Sequence, residues 1–354
     1  MIRIIAQTGN HAFGAPVAQR RFMSEDIDRR LFLSGIVAAG ALSAAPAGEE
    51  RRGDMLYRTL GRTGQKVSCI GLGGSNIGKT KDQQLATQIV RTGIDHGITF
   101  MDNSWDYNNG NGQGEIKMGN ALRDGYRQKV FLMTKVDGRT KESAARQIDE
   151  SLERLQTDHV DLMLFHEVIR MEDPDRIFAD NGAVHALLDA KKAGKIRYIG
   201  FSGHKDPAIH LRMLDVAHQH QFQFDAIMFP NNVMDASFRS FGQSVLPVAV
   251  NQKLGILCMK PFGGGILVQK AGVNPIEALH FVLNQPVSVC INGCENMRDL
   301  NQALEAVRTF KPMSERQVSA IVSRARSEAE TGKYELFKTS NKFDSTASHP
   351  QWLG

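Results

Sequence analysis

From Met55 onward this chain of 354 residues repeats one pattern about every thirty residues: a short apolar run, then a stretch with helical periodicity. The runs are Ile70–Gly73, Thr99–Met101, Val130–Thr134, Leu162–Phe165, Ile196–Phe201, Ala226–Phe229, Gly255–Met259 and Val287–Ile291. Each is short and apolar, as a parallel strand buried on both faces must be. Between them, Lys141–Leu155 sets Ala144, Ile148, Leu152 and Leu155 at three-to-four spacing, which makes one inward stripe. Gly182–Ala193, Pro207–His218 and Pro275–Asn284 read the same way, the last two opening on a proline suited to a first helical turn. Strand–helix alternation eight times over predicts an α/β fold, the (β/α)8 TIM barrel. A hairpin precedes it, Leu56–Thr59 and Val67–Cys69 joined across Gly61-Arg62-Thr63-Gly64. A doubly wound dinucleotide-binding sheet is the competitor, but Gly71-Leu72-Gly73-Gly74 lacks the third glycine of GxGxxG.

The barrel is expected over residues 55–310, followed by a helix and tail over 311–354. In the latter, Ser314–Thr331 puts Val318, Ile321, Val322 and Ala325 on one face. The end, His349-Pro350-Gln351-Trp352-Leu353, is too apolar for a linker and is expected to pack on the barrel near its mouth.

Residues 1–47 read as an export signal. Arg29-Arg30-Leu31-Phe32-Leu33 leads into an apolar, small-residue run, Leu31–Ala45, of 15 residues. That is short of the roughly 20 needed to span a bilayer. Ala45-Pro46-Ala47 then gives an A-x-A cleavage pattern, the layout of a secretory signal peptide. The paired arginines are similar to a twin-arginine signal, which is a receptor-read address and no anchor. A periplasmic or otherwise exported protein is therefore expected, and Met23 offers a tidier start for the signal than Met1. Beyond the signal, the chain carries 38 basic and 35 acidic side chains, interspersed and close to neutral. No partner of strong charge, nucleic acid or membrane, is implied. Cys69, Cys258, Cys290 and Cys294 form no CxxC pair and no metal-ligand spacing, so they read as buried thiols.

In such a barrel, chemistry collects at the carboxyl ends of strands. Asp102 follows the second run, Lys135 closes the third and His166 follows the fourth, 33 and then 31 residues apart. One strand–helix unit separates each pair, so all three converge on one rim. Tyr107, five residues past Asp102, can lean into the same cavity. Singly, each has a bland explanation as cap, solvated lysine or structural histidine. Together they suit proton donation to a carbonyl oxygen during hydride transfer, with Tyr107 as acid and Lys135 expected to lower the phenol's pKa from about 10. Asp102 would orient Lys135, and His166 would hydrogen-bond the substrate oxygen. No metal is needed for this chemistry. A metal-dependent hydrolase would need more ligands at strand ends than Asp102 and His166 supply.

These residues resemble those of the aldo/keto reductases. Gly97–Tyr107 is similar to the family's Asp-to-Tyr segment, Val130–Lys135 to its lysine strand and Val160–His166 to its histidine strand. Gly194–Ser202 is similar to the run before its nicotinamide contacts. The resemblance implies an NAD(P)-dependent reductase of an aldehyde, ketone or sugar-like carbonyl. It implies NADP, with NAD not excluded, lying across the barrel mouth with its nicotinamide beside Tyr107. The contacts it implies are Ser202 and Gly203, Met228, then Met259, Lys260, Pro261, Phe262, Gly263 and Gly265, with Gly293 and Asn296 towards the adenosine. Several depart from the commonest pattern: His204 stands for asparagine, Met228 for glutamine and Met259 for the stacking aromatic. Met259–Gly265 resembles a subgroup often joined to an iron–sulfur module, whose cysteines this chain lacks. Gly263–Gly265 either bares amides to the pyrophosphate or simply meets a need for positive φ. The altered contacts leave an alternative, an exported barrel with a binding or sugar-handling role and no free-cofactor turnover.

Overall fold

A hairpin opens the described chain and closes one end of the larger sheet behind it. In the computed structural model, which describes residues 48–354, β1 (Glu50–Arg52), β2 (Met55–Thr59) and β3 (Lys66–Ser68) pair antiparallel. The expected signal of residues 1–47 lies outside the described residues. Gly61, at φ 49°, turns the hairpin flat onto the start of a later strand, where any Cβ would overlap the Gly255 nitrogen. Only glycine accepts both conditions. Arg58 is buried, and its guanidinium donates to the carbonyls of Leu283 and Val287 at 2.7 and 2.9 Å, tying the hairpin to the last units.

Each of the eight apolar runs becomes a strand. They are β4 (Ile70–Gly73), β5 (Phe100–Asp102), β6 (Phe131–Val136), β7 (Val160–Phe165), β8 (Ile196–Ser202), β9 (Ala226–Pro230), β10 (Gly255–Met259) and β11 (Val289–Asn292). All pair in parallel, and β11 returns to β4, so the sheet closes into a (β/α)8 barrel. The expected helix Lys141–Leu155 forms over those residues, and the others match within a residue or two. The eighth strand starts two residues later than expected because the residues before it serve the hairpin. Val287 accepts from Arg58, and Ser288 donates to the Thr59 carbonyl. Among the described residues no helix is long and apolar enough to cross a membrane.

Side chains alternate between two cores, as strand pleating requires. Leu162 and Leu164 point into the barrel with Phe100, Met133, Met228, Leu257 and Val289, while Met163 and Phe165 face the helices. Leu60 and Val67 of the hairpin region belong to the inner cluster and plug its amino-terminal end. The same parity, carried two residues further, places the functional rim. Asp102 is two beyond Phe100, Lys135 two beyond Met133, and His166 two beyond Leu164. The four cysteines are free and buried.

Candidate active site

The loop leaving β5 is stitched to the neighbouring strand. Asn103 N–H donates to the Met133 carbonyl and Trp105 N–H to that of Lys135, both at 3.0 Å, which folds Tyr107 back over Lys135. The Lys135 ammonium then spends its three protons on Asp102 Oδ1 (2.6 Å), the Asn103 carbonyl (2.6 Å) and the Tyr107 hydroxyl oxygen (2.7 Å). Asp102 Oδ2 accepts from the Tyr107 hydroxyl at 3.4 Å. Lys135 and Asp102 are 1% and 3% exposed, a fully buried ion pair. The expected fall in the Tyr107 pKa does not occur. Burial first, then the Asp102 and Asp106 charges, push the phenol well above its ordinary value. Asp102 offsets the lysine charge, so little of it is left to favour phenolate.

His166 stands edge-on to Tyr107, ring centres 5.8 Å apart. Its Nδ1 lies 3.0 Å from Asp106 Oδ1 and 3.1 Å from both Asp137 Oδ1 and Ser104 Oγ. Ser104 in turn donates to Asp106 at 2.6 Å. Burial works against a charged imidazole here, yet the two carboxylates outweigh it and raise its pKa to about 10. Asp137 is driven up to about 7 by burial and the Asp106 charge. Asp106 is buried too, but its charge and hydrogen bond with His166 win and hold it below the usual carboxylate range. Sequence reasoning missed both aspartates. Asp137 lies two residues past Lys135, on the inward parity, and that signal was present.

The residues expected to hold a cofactor divide. Ser202 and Met259 end their strands at the same rim, while Met228, abreast of Ser202 in register, lies two residues short of the end of β9 and belongs to the inner core. Lys260, at φ 57°, has no hydrogen-bond or ion-pair partner among the described residues. Its Nζ lies 5.6 and 5.2 Å from the ring centres of Phe337 and Phe343, and burial lowers its pKa to about 8. Pro261 is buried behind it. For Gly263 and Gly265 the structure favours the second of the two readings, a need for positive φ. Their N–H groups donate to the Lys260 and Phe262 carbonyls at 2.9 Å, and positive φ explains the glycines. Phe262 packs on the outer core. Gly203 and Gly293 fill close-packed positions, against the Val168 carbonyl and the Asn76 side chain. Asn296 caps the helix Met297–Thr309, accepting from Asp299 N–H at 3.1 Å. A dinucleotide is still suited by two features: the unpartnered Lys260 cation beside open space at Gly265, and the buried, unpaired Oδ1 of Asn292 ending β11.

The chain's last twenty residues strap the carboxyl mouth. Lys338, fully buried, donates to Asp235 Oδ1 (2.8 Å) and Glu335 Oε2 (3.1 Å). Asp344 pairs with His204 (2.9 Å) and Lys205 (2.7 Å). Both oxygens of buried Glu167 accept from the strap, from Ser345 N–H and from Thr346 N–H and Oγ1, at 2.7–2.8 Å. Trp352 sits edge-on to Trp105 at 5.4 Å, so Trp105 is a packing residue. Asp106, His166 and Glu167 bring donor atoms within 4.8 Å of one another, but those atoms are committed to these hydrogen bonds.

A buried carboxylate, ammonium, phenol and imidazole at the carboxyl rim of a (β/α)8 barrel define an enzyme site. Sequence comparison gives its family. A family model described as "Aldo/keto reductase family" matches residues 69–319. The chain belongs to this family of oxidoreductases, which act on small carbonyl compounds. It is 31% identical over 235 residues to the uncharacterized oxidoreductase YrpG of Bacillus subtilis (strain 168), covering 61% of this chain and 69% of that one. It is 32% identical over 235 residues to L-galactose dehydrogenase of Arabidopsis thaliana, covering 60% and 67%. Aldo-keto reductase AKR11C1 from Bacillus halodurans, in its holo form, shares the fold with a TM-score of 0.63 at 22% identity, over 76% of this chain and 95% of that one.

Proposed function

We propose that the protein is an NAD(P)-dependent reductase of small carbonyl compounds in which Tyr107 gives the proton. The observation that carries this is Lys135 Nζ bridging the Tyr107 oxygen and Asp102 in one buried cluster. A nicotinamide cofactor supplies the hydride when bound. Lys260, unpartnered among the described residues, and Ser202, at the end of β8, are the residues of this chain that would hold its phosphates and carboxamide. Tyr107 stays protonated at neutral pH because burial and Asp102 oppose phenolate. The proton leaves Oη only as the substrate oxygen becomes alkoxide-like and more basic. Lys135, already hydrogen-bonded to Oη, keeps that hydrogen bond to the phenolate oxygen without rearrangement, so the donor is in place before the proton leaves. His166 presents its second nitrogen to the same oxygen.

The choice of nucleotide turns on charge. The resemblance favours NADP, but the segment expected to meet the adenosine carries Glu295 and Asp299 at the start of the helix Met297–Thr309, with Arg298 as its one cation. Asp299 Oδ2 already accepts from Glu295 N–H there, where a 2′-phosphate would gain most. Fluorescence titration of the purified protein is expected to show NADH binding at least as tightly as NADPH. Failure to bind either would remove the reductase proposal.

Export by the twin-arginine route is proposed from the Arg29-Arg30 motif, its apolar run and Ala45-Pro46-Ala47. Cell fractionation should find the protein in the exported fraction, and Arg29→Lys with Arg30→Lys should leave it in the cytoplasm. Equal distribution of both forms would refute this.

A further inference from the structure

His166 is held by more charge than hydrogen bonding to a neutral substrate requires. Around its ring, Lys135 is paired with Asp102, and Arg139 with Asp173. Glu167 spends both oxygens on the strap, and Tyr107 keeps its proton. Two carboxylates, Asp106 and Asp137, remain for one imidazole, and both meet the same nitrogen, Nδ1. Each is fixed from behind. Ser104 donates to Asp106, and Asp137 is set by its N–H and that of Gly138, which share Gln147 Oε1 at 2.8 Å. The Arg139 guanidinium fastens the backbone around the ring, donating to the His166 carbonyl at 2.8 Å and the Asp137 carbonyl at 2.7 Å. Nε2, on the far side of the ring, has no hydrogen-bond partner among the described residues and is not among the buried unsatisfied atoms.

We infer that Asp106 and Asp137 are positioning residues that keep His166 an imidazolium and aim a charged Nε2–H into the mouth of the site. The substrate oxygen then meets two proton-bearing groups, the Tyr107 phenol and the charge-assisted Nε2–H of His166. This rests on the reductase proposal for its catalytic meaning, though the state of the ring can be read without turnover. An imidazole with an ordinary pKa near 6.5 is almost wholly neutral at pH 8. In this clamp the ring's pKa of about 10 keeps it charged there. The folded state thus binds the His166 proton more tightly than the unfolded chain does. The stabilisation is therefore complete below about pH 6.5 and is lost as pH rises through about 10. Asp137, at about 7, takes a proton on the acid side, while Asp106 keeps its charge.

The test is nitrogen NMR of the histidine side chains in the full-length protein, with His166→Gln to assign the signal. Wild type should show an imidazolium at pH 8. Asp106→Asn and Asp137→Asn, each near-isosteric, should move the titration of His166 down by at least a pH unit. In each variant kcat/KM should then fall more steeply above the lowered pKa than in wild type, whose limb in that range comes from Lys260 at about 8 and is common to all the proteins compared. A merely structural carboxylate would not move the imidazole signal. Should Asp106→Asn fail to fold, Asp137→Asn makes the same comparison. A neutral His166 in wild type at pH 8, or an unchanged titration in a folded Asn variant, overturns the inference. A charged His166 in a protein that turns over no carbonyl would instead overturn the reductase proposal and leave the clamp intact.

Discussion

Replacing Tyr107 with phenylalanine lowers kcat/KM by about 10³-fold or more and leaves nucleotide affinity within about twofold. Loss of a positioned general acid typically costs 10²–10⁴-fold. The geometry places this case towards the upper end because, among the described residues, no other hydroxyl hydrogen-bonds to Lys135. The ring itself should stay in place. Its edge-on packing on His166 at 5.8 Å and its contact with the Lys135 ammonium at 4.4 Å need no hydroxyl. Lys135 keeps Asp102 and the Asn103 carbonyl as acceptors, so stability changes by only about 1 kcal/mol. Steady-state kinetics with a range of aldehydes and ketones, beside nucleotide titration of the variant, makes the measurement. Residual activity within tenfold of wild type would show that another group gives the proton.

Arg139→Met should cost about 3–5 kcal/mol of stability, the loss typical of removing one partner from a buried pair. Arg139 and Asp173 have no exposed side-chain surface, and the guanidinium also serves the carbonyls of Asp137, His166 and Glu167. Methionine fills much of the volume but satisfies none of these acceptors. Denaturant melts of both proteins measure the difference. A change below about 1 kcal/mol would mean that water replaces the guanidinium at the rim, and that the backbone around His166 holds itself.

The barrel was legible because its signal is local and repeated. Each strand is a short apolar run, and each helix shows its stripe. The rim was legible for the same reason: Asp102, Lys135 and His166 each extend an inward parity that Phe100, Met133 and Leu164 begin. Two kinds of feature escaped. The direction of the Tyr107 shift depends on how deeply the phenol is buried and on Asp102 offsetting Lys135, and no residue spacing states a burial depth. The strap contacts escaped because they join distant residues, as where Glu167 meets Ser345 and Thr346. Gly293 and Asn296 carry structural roles that the resemblance did not state. Resemblance drew them towards a cofactor, while the structure gives one a packing position and the other a cap.

Among the described residues, Leu60 and Val67 stopper one end of the cylinder, and the strap lies across the other. Under the proposed function, a ligand approaching Tyr107 from the carboxyl mouth meets the ties that Asp344 and Glu167 make to the strap and its neighbours before it meets the phenol.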